Sequence, residues 1–331
     1  MLRLILRSAA FILAFLLLAG CGPAPSYQTE GPSSTDVSYI DTVTIEQADL
    51  EDEMIALSDA PAALPTMLTP SAPGTLEKRN NKAVIDYSNT QDGYVMVQYT
   101  ASTDKRLKAQ VKGPTTTYTY NLTVGQWATF PLSDGNGTYQ FVIYENIEGT
   151  KYACVLSQSH TVTLTDEFAP FLRPNQYVDY APAVNTVAKA EELTRDITEP
   201  LKKVEAVYNF VVNSLTYDKQ LAATVQSGYL PVLDTVLDKK SGICFDYAAL
   251  MTGMLRSQGV PCKLVVGYAG STYHAWISVW SQETGWVDGV IYFDGASWKR
   301  MDPTFASSGK QSQSIMAYIG DGSNYAPKYF Y

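Results

Sequence analysis

The sequence predicts an α+β fold in two parts: an all-β region over residues 82–165, then a helix-then-sheet domain over residues 180–331. Three observations carry this. Short β-rich runs, punctuated by glycine turns, fill the first part. From about Tyr180 the apolar residues recur in steps of three and four, the period of a helix face. Past residue 262 the strand-like runs return. A chain of 331 residues that is 46% hydrophobic has enough apolar surface for more than one core. Its 23 tyrosines suit pleated, half-buried surfaces.

The first 20 residues precede the fold. Arg3 and Arg7 stand before an unbroken apolar run over residues 11–18, the pattern of an export signal and too short to span a bilayer comfortably. The run ends in Leu18-Ala19-Gly20-Cys21, which resembles the lipobox of bacterial lipoproteins. That resemblance implies lipidation of Cys21 and anchoring of an exported chain to a membrane. Residues 21–80 read as a tether. Residues 22–80 hold seven of the 17 prolines and ten acidic residues, with no Lys or Arg before Lys78, a composition that stays extended and solvated. A short helix over residues 45–57 is compatible with this segment.

Within residues 82–165, Val95, Val97 and Tyr99 alternate with Met96 and Gln98. Further runs lie at 118–120, 139–144 and 152–156. Asp92-Gly93, Gly113-Pro114, Asp134-Gly135-Asn136-Gly137 and Glu148-Gly149 mark the turns between them. Such spacing suggests a small immunoglobulin-like sandwich. His160 reads as a solvated strand residue and Cys154 as a small packed hydrophobe. Residues 166–179, with Pro170 and Pro174, form the connector.

Pro200 suits a first helical turn. Leu201, Val204, Tyr208, Val211 and Leu215 then trace one helix face that ends at Tyr217-Asp218. A second helix is expected over residues 244–257, with Ala248, Met251 and Leu255 buried and Gly259 and Pro261 beyond its end. Strands follow at 263–268, 273–280 and 286–293. The last is expected to pair with 297–301 through Asp294-Gly295.

Chemistry concentrates in this second part. Cys244 opens a helix, where unpaired backbone N–H groups and the helix dipole favour a thiolate. Gly242 is expected to permit a tight turn before it, and Ser241 to cap the helix. His274 is the single histidine of the domain and lies on a strand. Asp302, just after a strand of the same meander, is the candidate to orient its imidazole. Cys262 is expected in the core, and Trp276 as a wall of the site.

Gly242-Ile243-Cys244, Tyr273-His274-Ala275-Trp276 and Met301-Asp302-Pro303-Thr304 stand in one order along the chain. They resemble the signatures of the transglutaminase-like superfamily, a branch of the papain-like cysteine folds, over about residues 180–308. The resemblance implies Cys244 as nucleophile, His274 as general base and Asp302 as orienting carboxylate. It implies acyl transfer or hydrolysis on protein or peptide amides through a thioester. The long 281–295 segment departs from the tighter hairpin common in the family. The Cys244 backbone N–H is a candidate oxyanion donor, with Tyr217 as a candidate second donor.

No CxxC occurs and only two histidines are present, so neither a Cys/His zinc site nor a cofactor is expected. The net charge of 24 − 33 = −9 argues against nucleic acid as a partner. The expected partners are protein or peptide substrates at the cell envelope, and the membrane through the lipid. Two readings stay open at this stage: an active cysteine acyltransferase or hydrolase, or an inert lipoprotein whose β-sandwich and transglutaminase-like scaffold bind an envelope partner.

Overall fold

In the computed structural model the β region forms two four-stranded antiparallel sheets. The structure describes residues 67–331 except 283–284, 289, 294–297, 302–303, 305–306 and 308–323. One sheet has the order β1 (Glu77–Arg79), β2 (Ala83–Asp86), β3 (Tyr94–Tyr99), β6 (Trp127–Pro131). The other has the order β5 (Thr117–Leu122), β4 (Leu107–Lys112), β7 (Gly137–Glu148), β8 (Lys151–Val162). The export signal, Cys21, the tether with its possible helix, and the Asp294-Gly295 turn lie outside the described residues.

Alternation builds the core between these sheets. Leu107, Ala109 and Val111 of β4 and Tyr118 and Tyr120 of β5 are buried while their neighbours are not. Tyr120 stacks on Phe130 of the opposite sheet at 4.0 Å between ring centres. Tyr99 on β3 donates its hydroxyl to Glu145 on β7, and Lys82 and Lys105 approach the same carboxylate at 3.2 Å. The Tyr99 hydrogen bond, with the two ammonium groups, holds the Glu145 carboxyl down at about 2.

The expected turn at Asp92-Gly93 is present. Gly93 is left-handed at φ 84°, and a Cβ there would stand 2.6 Å from the nitrogen of Pro170 in the connector. Two readings of this region need amendment. His160 is half-buried, its ring 5.1 Å from that of Tyr87. Cys154 is exposed rather than packed. The β7–β8 register shifts between Ile143 and Tyr144, so Leu156 opposes Ile143 but Cys154 opposes Tyr144. The extra residue in β8 moves Cys154 off the core face, and plain period-two counting misses such a bulge.

The second part sets helices α1 (Val184–Thr194), α2 (Pro200–Ser214), α3 (Lys219–Thr224), α4 (Leu233–Lys239) and α5 (Cys244–Ser257) against an antiparallel sheet. That sheet has the order β13 (Gly285–Asp288), β12 (Thr272–Ser281), β11 (Cys262–Ala269), β16 (Tyr325–Phe330). β14 (Val290–Phe293) and β15 (Trp298–Met301) form a separate hairpin. The strand expected over 286–293 is thus two strands, the first paired with β12 and the second with β15.

Helix α2 starts at Pro200 as expected but stops at Ser214, short of the expected end at Tyr217-Asp218, because Leu215 is already extended; α5 coincides with the expected 244–257. The stripe anticipated on α5 is too narrow, because every residue from Asp246 to Ser257 is buried. α5 packs against α1, α2 and α4 on one side and β11 and β12 on the other, so it has no solvent-facing side to carry a narrow stripe. Gly253 lets α4 approach, since a Cβ there would meet the Leu233 side chain at 2.6 Å. Arg256 closes the end of α5, donating to the carbonyls of Cys262 (2.8 Å), Arg173 (2.8 Å) and Tyr331 (2.6 Å). Its burial lowers its pKa to about 10. Cys262 is fully buried, as expected, and burial pushes its thiol up to about 12.

Strand β16 was not anticipated. It pairs with β11 across a register shift at Val266/Gly267, and its Pro327 and charged Lys328 mask a strand signal. Among the described residues, no helix is long and apolar enough to cross a membrane.

Gly267 is the tightest point of this sheet: a Cβ there would stand 2.2 Å from the Ala326 carbonyl oxygen and 2.9 Å from the Trp276 ring. Gly267→Ala is expected to cost about 1–3 kcal/mol in urea unfolding by forcing β16 away from β11. Wild-type stability in that variant would show that β16 yields freely.

Candidate active site

The approach to Cys244 is fixed residue by residue. Lys240 ends α4 in a left-handed conformation, φ 50°. Ser241 and Gly242 then pair in parallel, as β10 (Ser241–Gly242), with β9 (Thr216–Tyr217) at the end of α2. The Asp218 N–H donates to the Gly242 carbonyl at 2.9 Å. The Asp218 carboxylate accepts from the Leu221 N–H at 2.8 Å and so caps α3.

Ser241 does not cap α5. Asp246, in the first turn of the helix, reaches back instead and accepts from the Ile243 N–H at 2.8 Å. Its other oxygen accepts from the Tyr229 hydroxyl at 2.7 Å. Gly242 therefore serves a different purpose from the one expected. Its φ is not left-handed, but a Cβ there would lie 2.5 Å from the Asp246 Cβ. Burial is the main cause that raises the Asp246 pKa above 3.8, opposed by its bonds from Ile243 and Tyr229.

Cys244 is the first residue of α5 and 5% exposed. Its sulfur lies where backbone N–H groups lack partners within the helix. His274 lies on β12, paired with Gly267 on β11, and is 3% exposed. The Trp276 ring lies 6.2 Å from the imidazole at a 23° tilt, and Tyr325 of β16 meets Trp276 edge-on at 5.1 Å. Trp276 thus flanks the histidine, and it is not among the described residues that line the cavity beside Cys244.

Cys244 and His274 line the same cavity, of about 160 Å³. Ile243, Phe245, Val266, Tyr273 and Ala275 surround them. Residues 225–230 form a second wall, and Gln176, Tyr177 and Tyr331 a third. The fourth comes from the β region: Lys108 on β4, with Thr119 and Asn121 on β5. Sequence patterns could not identify this wall, because nothing local to residues 108–121 signals a contact with residue 244.

Asp302 lies outside the described residues. Ser307 donates to the Leu215 carbonyl at 2.7 Å and lies 3.1 Å from the hydroxyl of Tyr247, one turn past Cys244. Tyr217 pairs through its backbone with Gly242 and is not among the described residues lining the cavity.

Residues 187–289 match the model of the transglutaminase-like superfamily. The chain therefore carries a transglutaminase-like domain within a mixed α+β fold preceded by an all-β region. Over 115 residues it is 31% identical to a protein-glutamine gamma-glutamyltransferase of Pseudomonas aeruginosa, covering 30% of this chain and 17% of that protein. An uncharacterised protein of Bacillus subtilis is 26% identical over 170 residues, 45% of this chain and 22% of that protein. The chain thus spans about a fifth of the length of these relatives. The periplasmic domain of TgpA from Pseudomonas aeruginosa, solved bound to ethylmercury, aligns at 20% identity over 71% of this chain and 77% of that domain, with a TM-score of 0.33.

Asp246 supplies a pH test. Its folded pKa exceeds its unfolded value near 3.8, so the folded state binds more protons between the two. Stability is expected to fall as pH rises through that window. Asp246→Asn should flatten this decline in urea unfolding across the acidic range. An equal decline in both proteins would remove Asp246 as its source.

Proposed function

We propose that this chain is a cysteine enzyme of the transglutaminase type, acting on protein or peptide amides with Cys244, His274 and Asp302. The observation that carries the reading is that Cys244, at the start of a buried helix, and His274, on the neighbouring strand, line one cavity. The match of residues 187–289 to the transglutaminase-like family supports it.

In this reading the Cys244 thiolate adds to the amide carbonyl carbon. The oxyanion is met by the Cys244 N–H at the helix start. The C–N bond then breaks, the His274 imidazolium gives its proton to the departing amine or ammonia, and a thioester remains. Next an amine or water attacks the thioester, His274 takes up its proton, and the C–S bond breaks to restore the thiolate. An amine yields a new amide and water yields an acid. Asp302 orients the imidazole and stabilises its charged form.

The wider plan follows the sequence. Residues 1–20 direct export, Cys21 carries the lipid, and residues 21–80 hold the folded part away from the membrane. The β region over 82–165 is read as an immunoglobulin-like sandwich, and residues 180–331 as the enzyme domain. Export and anchoring point to envelope proteins or peptides as substrates.

The test is incubation with a glutamine-containing protein and a fluorescent primary amine, reading dye incorporation, ammonia release and peptide fragments together. Cys244→Ala is expected to lower whichever turnover appears by about 10⁴-fold, and His274→Ala by a comparable factor. Iodoacetamide should label Cys244 with an apparent pKa below the usual value of about 8.5. Unchanged turnover in Cys244→Ala would end the enzymatic reading.

A further inference from the structure

Among the described residues that line the cleft, Lys108 is the one Lys, Arg, Asp or Glu, and it comes from the β region. It stands on β4 directly opposite Asn121 of β5, and its ammonium donates to the Asn121 side-chain oxygen at 2.5 Å. Among the described residues, no carboxylate pairs with it. An ammonium has three protons to donate, so two remain for a ligand.

The mounting of this pair is firm. The Asn121 carbonyl accepts from the Gln176 side chain at 2.8 Å. On its other side Gly228, at φ +93°, packs so closely that a Cβ would stand 2.5 Å from the Asn121 amide nitrogen. The β4–β5 ladder fixes the backbone beneath both residues. Half-burial of Lys108 is the first cause that lowers its pKa, with Arg106 second, and a bound carboxylate would offset both. A charge held half out of water, without an ionic partner, on the wall of a catalytic cleft is how enzymes read a charged group on a substrate.

We propose that Lys108, held by Asn121, is the specificity determinant of this cleft and selects peptides that carry a carboxylate close to the reacting amide. The inference rests on the reading of Cys244 and His274 as an amide-acting pair, and it makes the β region part of the substrate site. The carboxylate has two possible sources, an acidic side chain next to the target residue or a free peptide C-terminus.

Binding separates this proposal from the catalytic reading. Fluorescent glutamine peptides are titrated into the full chain bearing Cys244→Ala, followed by anisotropy. One peptide has Glu beside the target residue and an amidated C-terminus. A second has Gln in place of that Glu. A third has the Gln neighbour and a free C-terminus. A carboxylate peptide is expected to bind about tenfold tighter than the neutral one, the gain of one charge-assisted hydrogen bond. The first peptide's advantage would assign an acidic side chain, the third's a peptide terminus.

Adding Lys108→Gln should abolish that ratio, and Lys108→Glu should invert it. Lys108→Arg should keep it, which guards against a variant that merely misfolds. Equal affinity for all three peptides, no binding of any, or an undiminished ratio in Lys108→Gln would overturn the proposal. Discrimination in binding without any turnover by the wild type would leave Lys108 as a selector and remove the catalytic reading instead.

Discussion

A seam of aromatic rings governs the position of Cys244. Tyr177 from the connector meets Tyr331 edge-on at 4.5 Å and Phe245 of α5 at 5.4 Å. Tyr118 and Tyr120 of β5 reach the same Tyr331 ring at 5.6 and 5.9 Å. Phe245 is the residue after Cys244, so the first turn of α5 is braced by rings that belong to the β region and the connector. Each such pair contributes about 0.5–1.5 kcal/mol beyond its buried area. Burial pushes the Tyr177 hydroxyl up to about 12, so the seam stays uncharged across the working range of pH. The two parts share one hydrophobic cluster, and the cleft exists where the seam stops short of closing their junction.

The helix start is prepared for its chemistry by what surrounds it. Three constraints act within seven residues: the left-handed turn at Lys240, the β9–β10 pairing, and the Asp246 bond to the Ile243 N–H. Asp246 satisfies one orphan donor of the helix end and leaves the others near the sulfur. Through Tyr229 the same carboxylate also anchors the 225–230 wall. One buried side chain thus links the pose of the Cys244 helix start to the shape of the cleft. Burial makes that arrangement costly, and each Asp246 carboxylate oxygen accepts a hydrogen bond that offsets it.

Local pattern revealed the elements with strong periods. α5, β11 and β12 fall within a residue of their expected bounds and α2 starts where expected, because apolar spacing and flanking Gly and Pro residues dictate them locally. Motif and position single out Cys244 and His274, and the two line one cavity. Cys154 was misread because a bulge breaks period-two counting. The cap of α5 was misassigned because Asp246 lies inside the helix rather than before it. β16 and the Lys108 wall were invisible because both depend on pairings between residues far apart in sequence, and no local window carries their energy.

The charge of the cleft runs against that of the chain, and distance reconciles them. The whole chain carries −9, a field that on its own repels an acidic ligand. That field is set by surface charges, and ions screen it over about 8 Å in physiological salt. Lys108 acts at hydrogen-bonding range from a half-buried position, where the effective dielectric is lower and screening is weak. A weakly repulsive exterior around a locally attractive cleft slows the approach of acidic peptides but not their retention once seated. Rising salt should therefore speed their association by masking the exterior, while Lys108 continues to govern how long they stay.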